Sequence, residues 1–265
     1  MAAITLDHLQ TMKKQDEKIT MLTAYDASLA KILDGAGVDV LLVGDTLGMV
    51  FQGLPTTIPV TLQDMVYHTR CVARGNQNAL LMADLPFLTY ATPQQAMISA
   101  GQLMQAGAAM VKLEGGEIFA ETIRSITQQG IPVCAHLGLT PQSVHSLGGF
   151  KVQGKYPKQA QQIRSDALLL QEAGARMLIL ECIPYALAQE ITQSLTIPVV
   201  GIGAGPYCNG QVLVTYDLLG LTEGKPYTFV KNFLLDEQGG VPAAIKNYVD
   251  QVKKGSFPGL EHSFS

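Results

Sequence analysis

Short apolar runs recur along the chain and are separated by longer stretches in which apolar residues return with helical spacing. Runs that end at a glycine or a charge are typical of buried strands, and the longer stretches indicate amphipathic helices. This alternation predicts βαβ units on a parallel sheet. The predicted strands are Ile19–Ala24, Val38–Gly44, Ala79–Ala83, Met110–Leu113, Pro132–Ala135, Met177–Leu180, Pro198–Ile202 and Val212–Tyr216, the last with the weakest apolar pattern.

Helical patterns fill most intervals between these strands. Pro93 and Pro184 suit the first turn of a helix, where a missing N–H is harmless. Glycines such as Gly107 and Gly174 directly precede two of the strands, as expected of helix caps. The predicted helices are Asp26–Ala36, Leu62–Arg74, Pro93–Ala106, Ile118–Gln129, Gln159–Ala173 and Pro184–Gln193.

Eight strand–helix units without an interrupting linker favour a closed barrel over an open doubly wound sheet. We therefore expect an α/β protein, a (β/α)₈ TIM barrel, formed by one domain over residues 1–265. An N-terminal helix precedes the first strand, and a C-terminal helical extension near Ala243–Val252 lies beyond the barrel. The longest connection, Gly138–Lys158, is Gly-rich and polar and is a candidate lid.

Charge narrows the functional classes. Eighteen basic and 22 acidic residues give a net charge of −4, and no Lys/Arg block stands out. We therefore expect no nucleic-acid or membrane partner. No apolar run reaches the roughly 18 residues that span a bilayer.

The expected compartment is the cytoplasm. The sequence begins Met1–Asp7 with neither a basic nor an apolar signal region. Its four cysteines are widely spaced with no C-x-x-C pair, which suits reduced thiols; they are Cys71, Cys134, Cys182 and Cys208.

Ionisable residues end five consecutive predicted strands. In strand order they are Asp45, Asp84, Lys112 with Glu114, His136, and Glu181. The carboxyl ends of barrel strands meet at one rim, where active sites of this fold lie. A single charged strand end is commonly a solvated edge, but five in series predict one shared site.

Three of these residues are carboxylates that we expect to lie together. Lys112 and Glu114 are two apart on a strand, so they point to the same face. Asp45, Asp84 and Glu114 then repel one another unless a cation lies among them. Hard oxygen ligands suit Mg²⁺ or a similar divalent ion. The alternative is a carboxylate set neutralised by Lys112 and His136 alone.

Most of the remaining residues allow two interpretations. Lys112 is a fixed cation for a substrate carboxylate or enolate oxygen, or it forms an ion pair with Glu114 or another neighbour; a Schiff base is disfavoured by the neighbouring carboxylates. His136 contacts substrate or transfers a proton, or is a structural histidine. Glu181 is the candidate base for removing a proton α to a carbonyl. Gly201–Gly205 resembles a phosphate-binding turn but equally allows close backbone packing.

A series of motifs runs in order from about residue 5 to the end of the chain. They are T-A-Y-D (Thr23–Asp26), V-G-D-T-L-G-M (Val43–Met49), A-D-L-P-F (Ala83–Phe87), V-K-L-E-G-G (Val111–Gly116), H-L-G-L-T-P-Q (His136–Gln142), E-C-I-P (Glu181–Pro184), G-I-G-A-G (Gly201–Gly205) and P-G-L-E-H-S-F (Pro258–Phe264). Together they resemble the ketopantoate hydroxymethyltransferase family.

The resemblance implies an activity. Such enzymes transfer a hydroxymethyl group from 5,10-methylenetetrahydrofolate to α-ketoisovalerate (3-methyl-2-oxobutanoate) through a metal-stabilised enolate, giving ketopantoate for pantothenate synthesis. It also implies a homo-oligomer, often a decamer, with one Mg²⁺ per subunit.

The resemblance assigns roles to residues as well. It implies that Asp45, Asp84 and Glu114 bind Mg²⁺ and that Glu181 is the general base. Asp45, Thr46, Asp84 and Lys112 are the implied substrate-binding residues; at Thr46 the family usually has serine. His136 is a further candidate substrate-binding residue, on the ground of its position at a strand end.

Two alternatives stay open. One is another metal-dependent, enolate-forming lyase or mutase of the phosphoenolpyruvate mutase/isocitrate lyase superfamily, although the K-x-C-G-H stretch of isocitrate lyase is absent. The other is a non-catalytic metabolite-binding barrel. The presence together of Lys112, Glu114 and Glu181 argues against a decayed site.

Overall fold

The computed structural model describes residues 3–235 and 237–265, in which eight parallel strands close into a barrel in chain order. The eighth strand pairs with the first, with Gly210 opposite Ile19. The predicted (β/α)₈ barrel is therefore confirmed. The strands are β1 (Ile19–Thr23), β2 (Val40–Val43), β3 (Leu80–Asp84), β4 (Met110–Glu114), β5 (Val133–Gly138), β6 (Met177–Glu181), β7 (Val199–Ile202) and β8 (Gly210–Leu213).

The helices surround this barrel or close its ends. Several begin as the sequence suggests: Thr61 and Asp64 form a capping box, and Thr92 caps a helix that starts at Pro93. The helices are α1 (Leu6–Lys14), α2 (Ala27–Gly35), α3 (Leu47–Val50), α4 (Leu62–Gly75), α5 (Pro93–Gln105), α6 (Ala120–Gln128), α7 (Val144–Leu147), α8 (Pro157–Glu172), α9 (Tyr185–Ser194), α10 (Thr215–Leu218) and α11 (Gly240–Lys253).

Side chains inside the barrel form their own apolar cluster, which includes Met21, Leu42, Met82, Met110, Cys134, Met177, Ile179 and Val212. Neighbouring strand positions face outward and pack on the helices, as strand alternation requires. Leu9 and Met12 of α1 join the interior cluster. Helix α1 therefore closes the amino-terminal end of the barrel, and the site is left at the other end.

The prediction for the last strand, Val212–Tyr216, lies too late in the sequence. Strand β8 ends at Leu213, whereas the apolar pattern extended it to Tyr216. The Thr215 backbone N–H donates to Thr23 Oγ1 at 3.0 Å, and the Thr215 hydroxyl donates to Thr23 O at 2.6 Å. These bonds fix the start of α10 against the end of β1, so the chain has already left the sheet.

The outer layer also departs from regular alternation. The described loop 203–209 joins β7 to β8 without a helix. Helix α11, expected as an extension beyond the barrel, instead packs on it. The Tyr248 hydroxyl lies 3.0 Å from Met21 O and 2.8 Å from Gln211 O, on β1 and β8. Helix α11 thus covers the seam where the barrel closes.

All four cysteines lie in the described part of the chain and are free, three of them buried. Within the same residues, no helix combines the length and apolar character needed to cross a bilayer.

Candidate active site

The structure brings all the predicted site residues to one small cavity at the carboxyl-terminal end of the barrel; these are Asp45, Thr46, Asp84, Lys112, Glu114, His136 and Glu181. Parallel register places them side by side. Asp84 is opposite Lys112 between β3 and β4, and Glu114 is opposite His136 between β4 and β5. Of these charged side chains only Glu181 is appreciably exposed, at 16%.

Lys112 lies at the centre of the charged cluster. Its Nζ atom is 2.8 Å from Asp84 Oδ1 and 3.6 Å from Glu114 Oε1. Burial on its own lowers the pKa of Lys112, but Asp84, Glu114 and Asp45 more than offset this and raise the pKa above its usual range. Lys112 is therefore a permanent cation, which disfavours the Schiff-base reading.

The three carboxylates are not fully compensated by that single cation. Burial raises the pKa of Asp45, and the charges of Asp84 and Glu114 raise it further. The pKa of Asp84 is raised mainly by burial, against the opposing effect of Lys112. The pKa of Glu114 is lowered despite its burial, because Lys112 and His136 stabilise its charge. The charged forms of Asp45 and Asp84 are thus disfavoured unless a proton or a cation compensates them.

The donor chemistry fits a hard divalent cation. Asp84 Oδ1 is buried and makes no well-directed hydrogen bond within the described residues, although Lys112 lies beside it. Asp84 Oδ2 accepts from the Asp45 backbone N–H at 3.1 Å. Nowhere in residues 3–235 and 237–265 do three His, Cys, Asp or Glu side chains already stand in a ligating arrangement. Ligation by all three carboxylates therefore requires small side-chain shifts.

His136 joins the cluster to Glu181. Its Nδ1 atom is 3.2 Å from Glu114 Oε1, and its Nε2 atom is 3.2 Å from Glu181 Oε2. Burial and Lys112 lower the pKa of His136, whereas its contacts with Glu114 and Glu181 raise it, with a net result of about 9. The raised pKa favours the charged imidazole at neutral pH, and the ring lies between two carboxylates, of which Glu114 is the hydrogen-bond partner.

Thr46 lies at the entrance, after β2. Its hydroxyl oxygen is 2.9 Å from the hydroxyl of buried Tyr25, which comes from the T-A-Y-D motif. This contact fixes the Thr46 hydroxyl beside Asp45. Tyr25 stands in the T-A-Y-D motif, but nothing in the sequence indicated that its hydroxyl would contact Thr46.

Sequence reasoning missed two residues of the site, Gln142 and Tyr90. The Gln142 backbone N–H donates to Glu114 Oε2 at 3.0 Å, and its side-chain amide donates to Asp45 Oδ2 at 2.8 Å. Tyr90 donates to the amide oxygen of Gln142 at 2.5 Å. Gln142 is the last residue of the H-L-G-L-T-P-Q motif, and that position could have marked it as a candidate site residue. Tyr90 lies in none of the motifs, so nothing in the sequence indicated its role.

Backbone conformation fixes the position of Glu181. Gly138, at the end of β5, has φ +97°, and a Cβ there would lie 2.2 Å from Glu181 O. Only glycine suits this close approach. Directly after Glu181, Cys182 takes a left-handed conformation with φ +47°, which turns the chain sharply out of β6.

A larger cavity adjoins the small one and shares Thr46, Pro141, Glu181, Ile202 and Val214 with it. Its walls include stacked Tyr227 and Phe229, whose ring centroids are 5.4 Å apart, together with Phe150, Phe264, Lys151 and Lys225. The predicted lid segment contributes Leu139, Pro141 and Phe150–Val152. Whether that segment moves stays a prediction.

The Gly201–Gly205 turn packs closely against its surroundings. A Cβ at Gly205 would lie 2.4 Å from the Cβ of Tyr185, and one at Gly203 would meet Phe229 and Phe264. No helix begins in the described loop that follows. These contacts favour the packing interpretation over a phosphate cradle.

The fold and the charged mouth define a (β/α)₈-barrel enzyme. Solved structures of the same fold include phosphonopyruvate hydrolase in complex with oxalate and Mg²⁺, with a TM-score of 0.63 and 13% identity over 97% of this chain and 92% of that one. Another is 2,3-dimethylmalate lyase, a PEP mutase/isocitrate lyase superfamily member, with a TM-score of 0.58 and 18% identity over 100% and 93%. At these identities the likeness establishes the fold alone.

Sequence similarity identifies the family. Residues 3–260 match ketopantoate hydroxymethyltransferase. The 3-methyl-2-oxobutanoate hydroxymethyltransferase of Aeromonas salmonicida is 58% identical over 265 residues, and that of Nitrosococcus oceani is 57% identical, each covering 100% of both chains. The chain therefore belongs to the ketopantoate hydroxymethyltransferase family and is a transferase, as its motifs predicted.

Proposed function

We propose that this enzyme transfers a one-carbon unit from 5,10-methylenetetrahydrofolate to 3-methyl-2-oxobutanoate, giving 2-dehydropantoate and tetrahydrofolate. One observation carries the proposal: a partly exposed carboxylate, Glu181, shares a cavity with the buried cation Lys112 and three further carboxylates. A base and an anion-binding centre within one cavity are what enolisation of a 2-oxo acid requires.

The substrate carboxylate and keto oxygen bind at the charged end of the small cavity. Lys112 supplies a fixed positive charge there, and Thr46 supplies a hydroxyl held by Tyr25. The isopropyl group of the substrate then faces the apolar wall, which includes Ile179, Ile202 and Val212. This orientation directs C3, the methine carbon of the isopropyl group, away from Lys112.

Asp45, Asp84 and Glu114 are the residues that would hold a divalent cation, Mg²⁺ with one ion per subunit. Three points support this: the raised pKa values of both aspartates, the buried Asp84 Oδ1 atom with Lys112 as its charged neighbour but no well-directed hydrogen bond within the described residues, and the oxalate and Mg²⁺ named with phosphonopyruvate hydrolase. Such an ion, when bound, supplies Lewis-acid polarisation of the keto group and stabilises the enolate charge.

Glu181 removes the C3 proton of the substrate, and His136, whose pKa is raised, lies beside it with Nε2 at 3.2 Å from Glu181 Oε2. The enolate carbon then forms a bond to the one-carbon unit at the formaldehyde level. Water supplies the hydroxyl oxygen, and the folate leaves as tetrahydrofolate. No net oxidation occurs, so the step needs no further reactant.

The larger cavity supports a bulky cosubstrate on the Glu181 side. Its stacked Tyr227 and Phe229 offer an aromatic wall for a pterin ring, and Lys151 and Lys225 offer positive charge to an anionic glutamate tail. Both cavities share Glu181, so a folate bound there would lie next to the enolate carbon.

Family membership further supports a homo-oligomer, a decamer in related enzymes, and a cytoplasmic location. The chain would form one domain over residues 1–265.

The proposal is tested by incubating the enzyme with 3-methyl-2-oxobutanoate and 5,10-methylenetetrahydrofolate whose one-carbon methylene group is labelled with ¹³C. The label is expected in the hydroxymethyl carbon of 2-dehydropantoate by NMR. Turnover of a phosphonate or a 2,3-disubstituted malate without folate would favour the lyase or mutase alternative instead. Absence of turnover with every substrate would favour the non-catalytic barrel.

A further inference from the structure

One buried amide contacts two of the three site carboxylates. Gln142 lies in the 3₁₀ turn Pro141–Ser143 that follows β5, and it is 4% exposed. Its backbone N–H and side-chain Nε2 reach different carboxylates: Glu114 Oε2 at 3.0 Å and Asp45 Oδ2 at 2.8 Å. Gln142 therefore bonds across the cavity to one residue just after β2 and one at the end of β4, two strands that are not neighbours in the sheet.

The orientation of this amide is fixed by its surroundings. Nε2 donates to Leu85 O at 3.0 Å as well as to Asp45, and Oε1 accepts from the Tyr90 hydroxyl. A turned amide would point its oxygen at Leu85 O, a carbonyl that has no proton to give. All polar atoms of the side chain are thus paired in one arrangement only.

Gln142 holds Asp45 Oδ2 and Glu114 Oε2, so Asp45 Oδ1 stays free of this bond. The second oxygen of Glu114, Oε1, faces His136 and Lys112 instead. Holding one oxygen also limits rotation of a carboxylate. Two carboxylates that repel each other are thereby kept in defined positions before any ion binds.

We propose that Gln142, anchored by Tyr90, is a positioning residue that orients Asp45 and Glu114 for a divalent cation. The inference rests on the proposed function, because it presumes the metal role of those carboxylates. Groups that orient metal ligands in this way commonly change metal affinity by about 10- to 100-fold when removed.

Methionine at this position keeps the volume of the side chain and removes its amide. Gln142→Met therefore tests the side-chain bonds to Asp45 while it keeps the backbone N–H to Glu114. Tyr90→Phe removes one hydroxyl and leaves the amide in place without its anchor; that hydroxyl also lies 3.2 Å from the backbone O of Glu114. Gln153→Met is the matched control, since Gln153 is also buried in the β5–β6 segment but bonds to Lys151 O and Gln159.

The experiment measures Mn²⁺ binding to each full-length protein by electron paramagnetic resonance of the free ion. The unfolding temperature without metal is recorded alongside. Gln142→Met is expected to weaken Mn²⁺ binding by about 10- to 100-fold and Tyr90→Phe by several-fold. Gln153→Met is expected to bind as the native protein does, even where its unfolding temperature falls equally.

Native Mn²⁺ affinity in a folded Gln142→Met protein would overturn the inference while the proposed function stands. If Gln142→Met does not fold, Tyr90→Phe decides: native affinity there overturns the inference, and weakened affinity with a native unfolding temperature supports it. A native protein that binds no Mn²⁺ overturns the inference together with the proposed metal role. Product formation by the native protein, measured in the same samples, separates these cases.

Discussion

His136 Nε2 lies 3.2 Å from Glu181 Oε2, although the angle does not make a well-directed hydrogen bond. The other ring nitrogen lies equally close to Glu114 Oε1. Because the pKa of His136 is about 9, a positive charge stands between the proposed base and the carboxylate cluster. His136 thus joins the carboxylate cluster to the proposed base, Glu181.

His136→Asn should remove that charge and lower kcat by about 100-fold, the lower end of the loss that follows removal of one electrostatic stabiliser. The measurement is steady-state turnover with the unfolding temperature recorded in parallel. His68→Asn is the control, because His68 is also buried and bonds to a backbone carbonyl, Tyr25 O at 2.7 Å. The control is expected to lose about 1 kcal/mol of stability and to keep its turnover. Equal losses of kcat would contradict a specific role for His136.

Magnesium should stabilise the protein more at about pH 8 than at about pH 5.5. Burial and neighbouring carboxylates raise the pKa values of Asp45 and Asp84, so these groups take up protons at a higher pH than ordinary acids. In the metal-free protein their contribution to stability is therefore greatest at low pH and is lost as pH rises through the raised pKa values. Binding of Mg²⁺ needs the deprotonated forms and competes with those protons.

The check is the increase in Tm on adding Mg²⁺ after chelator treatment, with KCl at matched ionic strength as the control. Equal increases at both pH values would show that Mg²⁺ acts away from these carboxylates.

Gly138→Ala should impair catalysis more than its backbone strain alone explains. The new Cβ would lie 2.2 Å from Glu181 O, so the Glu181 segment must move. A shift of about 1 Å at a catalytic group commonly costs about 100-fold in rate. Gly149→Ala is the matched control, with φ +111° and nothing within 4 Å of its Cβ.

Both substitutions place an alanine at a position with positive φ, which lowers the free energy of unfolding by about 1–3 kcal/mol. Turnover and unfolding free energy are measured for the pair. Native turnover in Gly138→Ala would show that this close approach does not position Glu181.

Replacing Lys151 and Lys225 together by alanine should raise KM for folate by about 10-fold, because both line the larger cavity. The increase should be larger for a polyglutamate tail and smaller at high salt. Hydrogen exchange of the 2-oxo acid without folate should stay native. Lys158→Ala, an exposed position at the start of α8, serves as the control. An unchanged folate KM would place the cosubstrate elsewhere.

Much of the site was predictable because barrel topology places the ends of successive strands at one rim. Asp84, Lys112 and His136 follow directly from that rule, since each ends or nearly ends an apolar run. The chain motifs added Thr46, whose neutral side chain carries no signal of its own.

Contacts made between loops were not predictable in this way. Gln142 reaches Asp45 across 97 positions of sequence, and Tyr90 reaches Gln142 across 52. Local pattern carries no information on such pairings. The packing of α11 on the barrel also depended on a distant contact, that of Tyr248 with both β1 and β8.

Hydrogen–deuterium exchange at C3 of 3-methyl-2-oxobutanoate in D₂O tests the central claim most directly. The native enzyme with Mg²⁺ and no folate is expected to exchange this proton, and removal of the metal is expected to slow exchange strongly. Glu181→Gln should abolish exchange while substrate still binds, because the amide cannot accept the proton. Exchange that persists in Glu181→Gln at the native rate would contradict the assignment of Glu181 as the base.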